Sequence, residues 1–178
     1  MVSIDIYTDG STKGNGTENA VGGWGYIIII KKNYTQTEIK CSLQVENTTN
    51  NRMELTAIIE ALNKVSYLLK DKFSDCKKIN IHTDSAYIQN CYSQQWYIKW
   101  LKNGWVNSKK EAVKNKDLWT RLIPYFENER FSFLKVKGHN GDYYNEIADQ
   151  LAQDAALGFT VNTTEVHIIH DKCSDTGI

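Results

Sequence analysis

The chain has 178 residues, 21 Lys+Arg against 21 Asp+Glu, and 41% hydrophobic residues. These values suit one soluble domain with a sizeable core and exclude disorder, which needs few apolar residues and a large net charge. No apolar run approaches the ~18–20 residues that span a bilayer.

The first segment alternates, with Val2, Ile4 and Ile6 against Ser3, Asp5 and Tyr7, and predicts a strand stopped at Asp9-Gly10-Ser11. A glycine-rich turn follows, through Gly14, Gly16, Gly22, Gly23 and Gly25. Residues 24–30 and 34–45 predict two more strands in an antiparallel meander. Met53, Ala57, Ala61 and Val65 recur every four residues and predict a helix over 51–65, with Asn51 opening a capping box closed by Glu54. Residues 79–83 form a short β-rich run ended by Asp84-Ser85, and helical stretches follow over 85–92 and 95–101.

Residues 102–114 lack periodicity and predict a loop. A helix from 116 should end or kink at Pro124, the only proline. Phe131, Phe133 and Val136 mark a fifth strand. After Gly138-His139-Asn140-Gly141 comes a last helix over 144–157, with Gly158 as its stop. The reading is one domain over 1–158 and a weakly patterned tail over 159–178, where His167 and His170 fall on opposite strand faces. Strands separated by helices imply parallel pairing through right-handed crossovers. The expected fold is α/β: a five-stranded mixed sheet, first, fourth and fifth strands parallel, with helices on both faces.

The N-terminus shows no basic, apolar and small-residue leader, so an intracellular, cytoplasmic location is expected. Four scattered cysteines without a C-x-x-C pair read as reduced thiols rather than zinc ligands.

Four acids stand out. Asp9 and Asp84 each close an apolar strand, and ligands of open parallel sheets bind beyond the carboxyl ends of the strands. Considered singly, each also suits an ordinary turn or helix cap. Glu54 shares the apolar helix face of Ala57, Ile58 and Ala61, and Asp149 borders the stripe of Ala148, Leu151, Ala152 and Ala155. An acid on an apolar face must be paired, protonated or metal-bound. Converging acids repel unless cations compensate, and all-oxygen ligation suits Mg²⁺ or Mn²⁺.

A second constellation is electrostatic. Residues 96–116 hold six lysines against one acid, a net +5, together with Trp96, Trp100 and Trp105. This is either a solvated segment whose tryptophans face the core or a phosphate-tracking, base-stacking surface.

The segments TDGS (8–11), GNG (14–16), TTNNRMEL (48–55), TDS (83–85), KGHNG (137–141) and NEIADQLA (145–152) occur in one order. Together they resemble the type 1 ribonuclease H family, over about residues 3–157. The resemblance implies hydrolysis of the RNA strand of an RNA–DNA hybrid by a two-metal-ion mechanism, leaving 5′-phosphate and 3′-hydroxyl ends. It implies Asp9, Glu54, Asp84 and Asp149 as metal-binding carboxylates for Mg²⁺, with Mn²⁺ as a substitute, and His139 as the histidine of a mobile loop. It makes Asn15, Asn50 and Asn51 contacts to the RNA strand, and Thr49 and Asn115 a DNA-phosphate pocket. Trp96 and Trp100, with Lys102, Lys109 and Lys110, match a basic protrusion that holds the DNA strand. Ala86 departs from the family pattern, where many bacterial members carry glutamine. A monomer with no membrane partner is expected. The competing readings are a catalytically silent hybrid-binding module and a related-fold exonuclease or strand-transfer protein.

Overall fold

The computed structural model describes residues 2–136 and 142–170. These form six strands and five helices, in the order β1 (Val2–Lys13), β2 (Val21–Lys32), β3 (Thr35–Glu46), α1 (Asn50–Asp71), β4 (Ile79–Thr83), α2 (Ala86–Ser93), α3 (Trp96–Asn103), α4 (Lys116–Phe126), β5 (Phe131–Lys135), α5 (Tyr143–Ala156) and β6 (Val161–Ile169). The sheet order is β5-β4-β1-β2-β3-β6. The β1-β2 and β2-β3 pairs are antiparallel, and β4 pairs in parallel with both β1 and β5. Among the described residues no helix is long and apolar enough to cross a membrane.

The sheet has one strand more than expected. Residues 161–169, read as part of a tail, pair antiparallel with β3 and satisfy its otherwise open edge. Most of β6 is exposed on both faces, so the inside–outside alternation that announces a strand is missing from its sequence.

The first two strands are also longer than their patterns. β1 runs past Asp9-Gly10-Ser11 to Lys13, and Gly22, Gly23 and Gly25 lie within β2 rather than in a turn. Close helix packing explains these glycines. A Cβ on Gly10 would stand 2.4 Å from the backbone nitrogen of Glu54, so only glycine lets α1 rest directly on β1. On the opposite face, a Cβ on Gly23 would meet the Ala152 carbonyl and the Ala156 nitrogen at 2.4 Å each, and one on Gly25 the Leu151 Cβ at 2.6 Å. The small residues Ala148, Ala152 and Ala155 of α5 are fully buried there.

The first helix begins one residue earlier than its pattern and continues six residues further. Its cap is Thr49, whose Oγ1 accepts the Arg52 N–H at 3.3 Å, and not Asn51. α4 passes through Pro124 and ends only at Phe126. Packing overrides the breaker here: Phe126 is buried against Phe133 at 4.7 Å, Tyr92 at 5.2 Å and Tyr97 at 5.4 Å between ring centroids. Trp119, about two turns earlier, is completely buried; truncating such a side chain costs about 3–5 kcal/mol.

Candidate active site

The site follows from where two parallel strands part. The β1–β4 ladder covers only Ile4–Tyr7 against Ile79–His82. Beyond it β4 stops at Thr83, while β1 continues along β2 alone, with Asp9 opposite Gly25. Asp9 therefore lies inside a strand rather than at its end, yet at the fork where the β4 side falls away. Asp84 is the first residue past β4, and Ser85 then caps α2. Glu54 joins them because α1 sits on Gly10.

Among the described residues, Asp9, Glu54 and Asp84 bring one carboxylate oxygen each within 4.8 Å of one another. Asp9 and Glu54 are buried, and Asp84 is half-buried. Asp149, half-buried on α5, stands against Asp9 and accepts the Gln153 amide at 2.8 Å. His139 lies outside the described residues.

Burial, then the neighbouring Asp84 charge, pushes the Asp9 carboxyl up to about 8, although the Gly10 N–H donates to its Oδ1 at 2.8 Å; Asp149 pushes it the same way. Glu54 is held well above the ordinary carboxylate range, first by burial and then by Asp9 and Asp84. Its Oε2 is buried with no hydrogen-bond partner among the described residues. With Thr49 capping α1, Glu54 is not engaged in closing a capping box. A polar atom left this way costs free energy unless a cation or proton meets it. The trio offers only hard oxygen donors, a set that suits a hard divalent cation.

Beside the cluster lies an open groove of about 550 Å³. Its walls include Asn51 of α1, Tyr87 of α2, the Trp96, Lys99, Trp100 and Asn103 face of α3, and Lys114 and Asn115 before α4. The segment between α3 and α4 is ordered by asparagines. Asn103 exchanges two bonds with the Val106 backbone at 2.8 and 3.0 Å, and Asn107 Oδ1 accepts the Lys109 and Glu111 N–H groups at 2.9 Å each.

The sequence-derived contacts divide into two groups. Asn15 Oδ1 accepts the Asn50 N–H at 3.2 Å, which ties the β1–β2 loop to the start of α1 beside Thr49. Asn51, Trp96, Trp100 and Asn115 line the groove. Lys102, Lys109 and Lys110 are exposed and lie outside its walls, where Lys99 and Lys114 stand instead. Trp100 is buried, with its ring 5.5 Å from Trp119 and 5.9 Å from Trp105, so its faces serve packing; Trp96 is the half-exposed one. Lys99 was legible: residues 96, 99, 100 and 103 are one helical face, from which Lys102 departs.

Tyr87 belongs to no segment that the sequence marks, and Arg52 stands within TTNNRMEL without a role that the sequence reading assigns. Arg52 Nη1 and Nη2 donate to Asp117 Oδ1 and Oδ2 at 3.0 and 2.7 Å, and Nη1 also reaches Asn115 Oδ1 at 3.2 Å. The guanidinium holds the Asp117 carboxyl below its usual range, but such exposed pairs add only ~0.2–1 kcal/mol to stability.

A mixed sheet that gathers buried acids where two strands part, next to a basic aromatic groove, defines a metal-dependent α/β nuclease. The RNase H family model matches residues 2–157. A ribonuclease H of Clostridium botulinum is 40% identical over 161 residues, which are 90% of this chain and all of that protein. One of Caldicellulosiruptor saccharolyticus is 43% identical over 155 residues, 86% of this chain and 95% of that one. The chain belongs to the ribonuclease H family.

Among solved structures, LC9-RNase H1, a type 1 RNase H with the type 2 active-site motif, superposes with a TM-score of 0.76 at 26% identity, over 92% of this chain and 77% of that one. The foamy viral RNase H domain shares the fold, with a TM-score of 0.64 at 22% identity, over 89% and 96% of the two chains.

Proposed function

We propose that Asp9, Glu54, Asp84 and Asp149 carry out the family's reaction in this chain: endonucleolytic hydrolysis of the RNA strand of RNA–DNA hybrids, leaving 5′-phosphate and 3′-hydroxyl ends. The supporting observation is the convergence of Asp9, Glu54 and Asp84 within 4.8 Å, with a buried Glu54 oxygen that has no hydrogen-bond partner among the described residues. Family members depend on divalent metal, and Mg²⁺, with Mn²⁺ as a substitute, suits this donor set. When bound, two such ions supply an activated water and charge stabilisation at the scissile phosphate. The protein's own share is positioning: Gly10, Gly23 and Gly25 fix the carboxylates to the sheet before substrate arrives, so little reorganisation remains at the moment of reaction.

His139, on its glycine-flanked segment, transfers a proton to the leaving group or eases product release. Asn15, Asn50 and Asn51 read the RNA strand through its 2′-hydroxyls, for which amide groups that both donate and accept are suited. Thr49 and Asn115 take a DNA phosphate. Trp96, braced by Trp100, and the groove lysines Lys99 and Lys114 follow the DNA strand, while Lys102, Lys109 and Lys110 add attraction from the solvent side. The catalytic unit is residues 1–158, to which β6 adds an edge strand. One copy supplies every group named, which favours a monomer, and the free thiols of Cys41, Cys76 and Cys91 favour a reducing, cytoplasmic compartment.

The test is cleavage with Mg²⁺ of three substrates: hybrid, duplex DNA and duplex RNA. Cutting confined to the RNA of the hybrid is expected. Hybrid binding without cleavage would instead establish a silent binding module.

A further inference from the structure

We infer that Arg52 is a positioning residue for hybrid binding, acting through Asn115 to fix which end of that amide faces the groove; this deepens the proposed function and rests on it. Asn115 joins two elements that the sequence keeps 63 residues apart from Arg52. Its backbone is left-handed, with φ 59°, a conformation that asparagine adopts more readily than other non-glycine residues. Its side chain is held at both ends. Oδ1 accepts from Arg52 at 3.2 Å, and Nδ2 donates to the Tyr87 hydroxyl at 3.3 Å. That hydroxyl is itself fixed by the indole N–H of Trp119 at 3.0 Å, and Trp119 is completely buried.

An amide whose acceptor and donor ends are both engaged cannot turn over. The second hydrogen on Nδ2 is what Asn115 has left to offer, and a donor is what a phosphate oxygen requires. Releasing Oδ1 would let the amide rotate and present an acceptor to the phosphate, which repels it.

Asp117 completes the device. Its two oxygens take both terminal guanidinium nitrogens in a fork, so Arg52 is aimed at Asn115 before any substrate arrives. Lysine keeps the charge but cannot reproduce a planar fork. The Arg52–Asp117 pair is too exposed to matter much for folding, which leaves positioning as the role that the geometry supports.

Hybrid affinity, measured by fluorescence anisotropy on the full chain carrying Asp9→Asn to prevent turnover, tests this. Arg52→Lys should weaken binding about ten- to a hundredfold, the scale of one directed bond to a charged group, with thermal stability and salt slope nearly unchanged because the charge is kept. In an Asn115→Ala background the same change should do nothing further. An Arg52→Lys effect that persists there shows direct phosphate contact by Arg52 and overturns the inference. So does a loss of melting temperature with affinity intact, which marks a structural role alone. Cleavage by the unaltered chain is assayed in parallel. Binding with this pattern but no cutting would sink the proposed reaction and leave the Arg52 role standing.

Discussion

The carboxylate cluster and the groove beside it use polar groups in opposite ways. In the cluster, acids are pressed together, two of them buried, and Glu54 keeps an oxygen without a partner among the described residues. In the groove the asparagines already have protein partners: Asn103, Asn107 and Asn115 each make at least two hydrogen bonds, and Arg52, bonded to Asn115, makes three through its side chain. The first region is incomplete until cations arrive, whereas the second is set in advance. Chemistry should therefore depend on the cluster's charge, and affinity on the groove's geometry.

The sharpest way to break this division is Asp9→Asn or Asp84→Asn. Each keeps shape and removes a ligand charge. Losing one preorganised electrostatic group typically costs ~10²–10³ in kcat, and at least that is expected here, with hybrid affinity preserved. Near-normal turnover with Mg²⁺ would end the assignment.

Next in size is Gly23→Ala, which drives a methyl into the backbone of α5. Overpacking costs ~1–3 kcal/mol, and because α5 carries Asp149 the melting temperature and kcat should fall together while KM holds. A rise in KM alone would mean that α5 serves the groove.

The groove is sharpened by contrasting lysines. Lys99→Ala with Lys114→Ala should raise KM and make log kcat/KM less steep against log salt by up to ~1.8, near 0.7–0.9 per lost phosphate contact. The triple change of Lys102, Lys109 and Lys110 to alanine removes more charge and should alter that slope less. Equal effects per charge would dissolve the distinction between groove wall and solvent face.

The last test concerns stability against pH. Asp9 and Glu54 titrate above their unfolded values, so between ordinary carboxylate pH, about 4, and about 8 the folded metal-free protein holds more protons than the unfolded chain. Their contribution is present in full at the acid end and is lost as pH rises through that window. Metal-free Asp9→Asn should lose less stability than the parent over pH 4–8, and millimolar Mg²⁺ should narrow the gap by stabilising the parent. Parallel curves in chemical unfolding would show that Asp9 is not the raised group.

Much of this was legible from the chain. Helices with one apolar face announce themselves, and the acids at strand ends and the ordered motifs pointed to the cluster. What stayed hidden depends on pairing between distant residues. The glycines of β2 look like a turn until α5 is laid on them. Asn51 looks like a cap until Thr49 takes the bond. Pro124 looks like a stop until the rings around Phe126 outweigh it. The Arg52 link crosses 63 positions and has no local pattern at all.

The last strand has a consequence for how the chain is made. β3 leaves the ribosome long before β6 exists, so through most of synthesis its outer edge is an unfilled template for other chains. Charged residues spaced along it, Glu38, Lys40 and Glu46, work against such strays during that interval. When residues 161–169 emerge they find their place already built, and β6 closes the edge that β3 had held open.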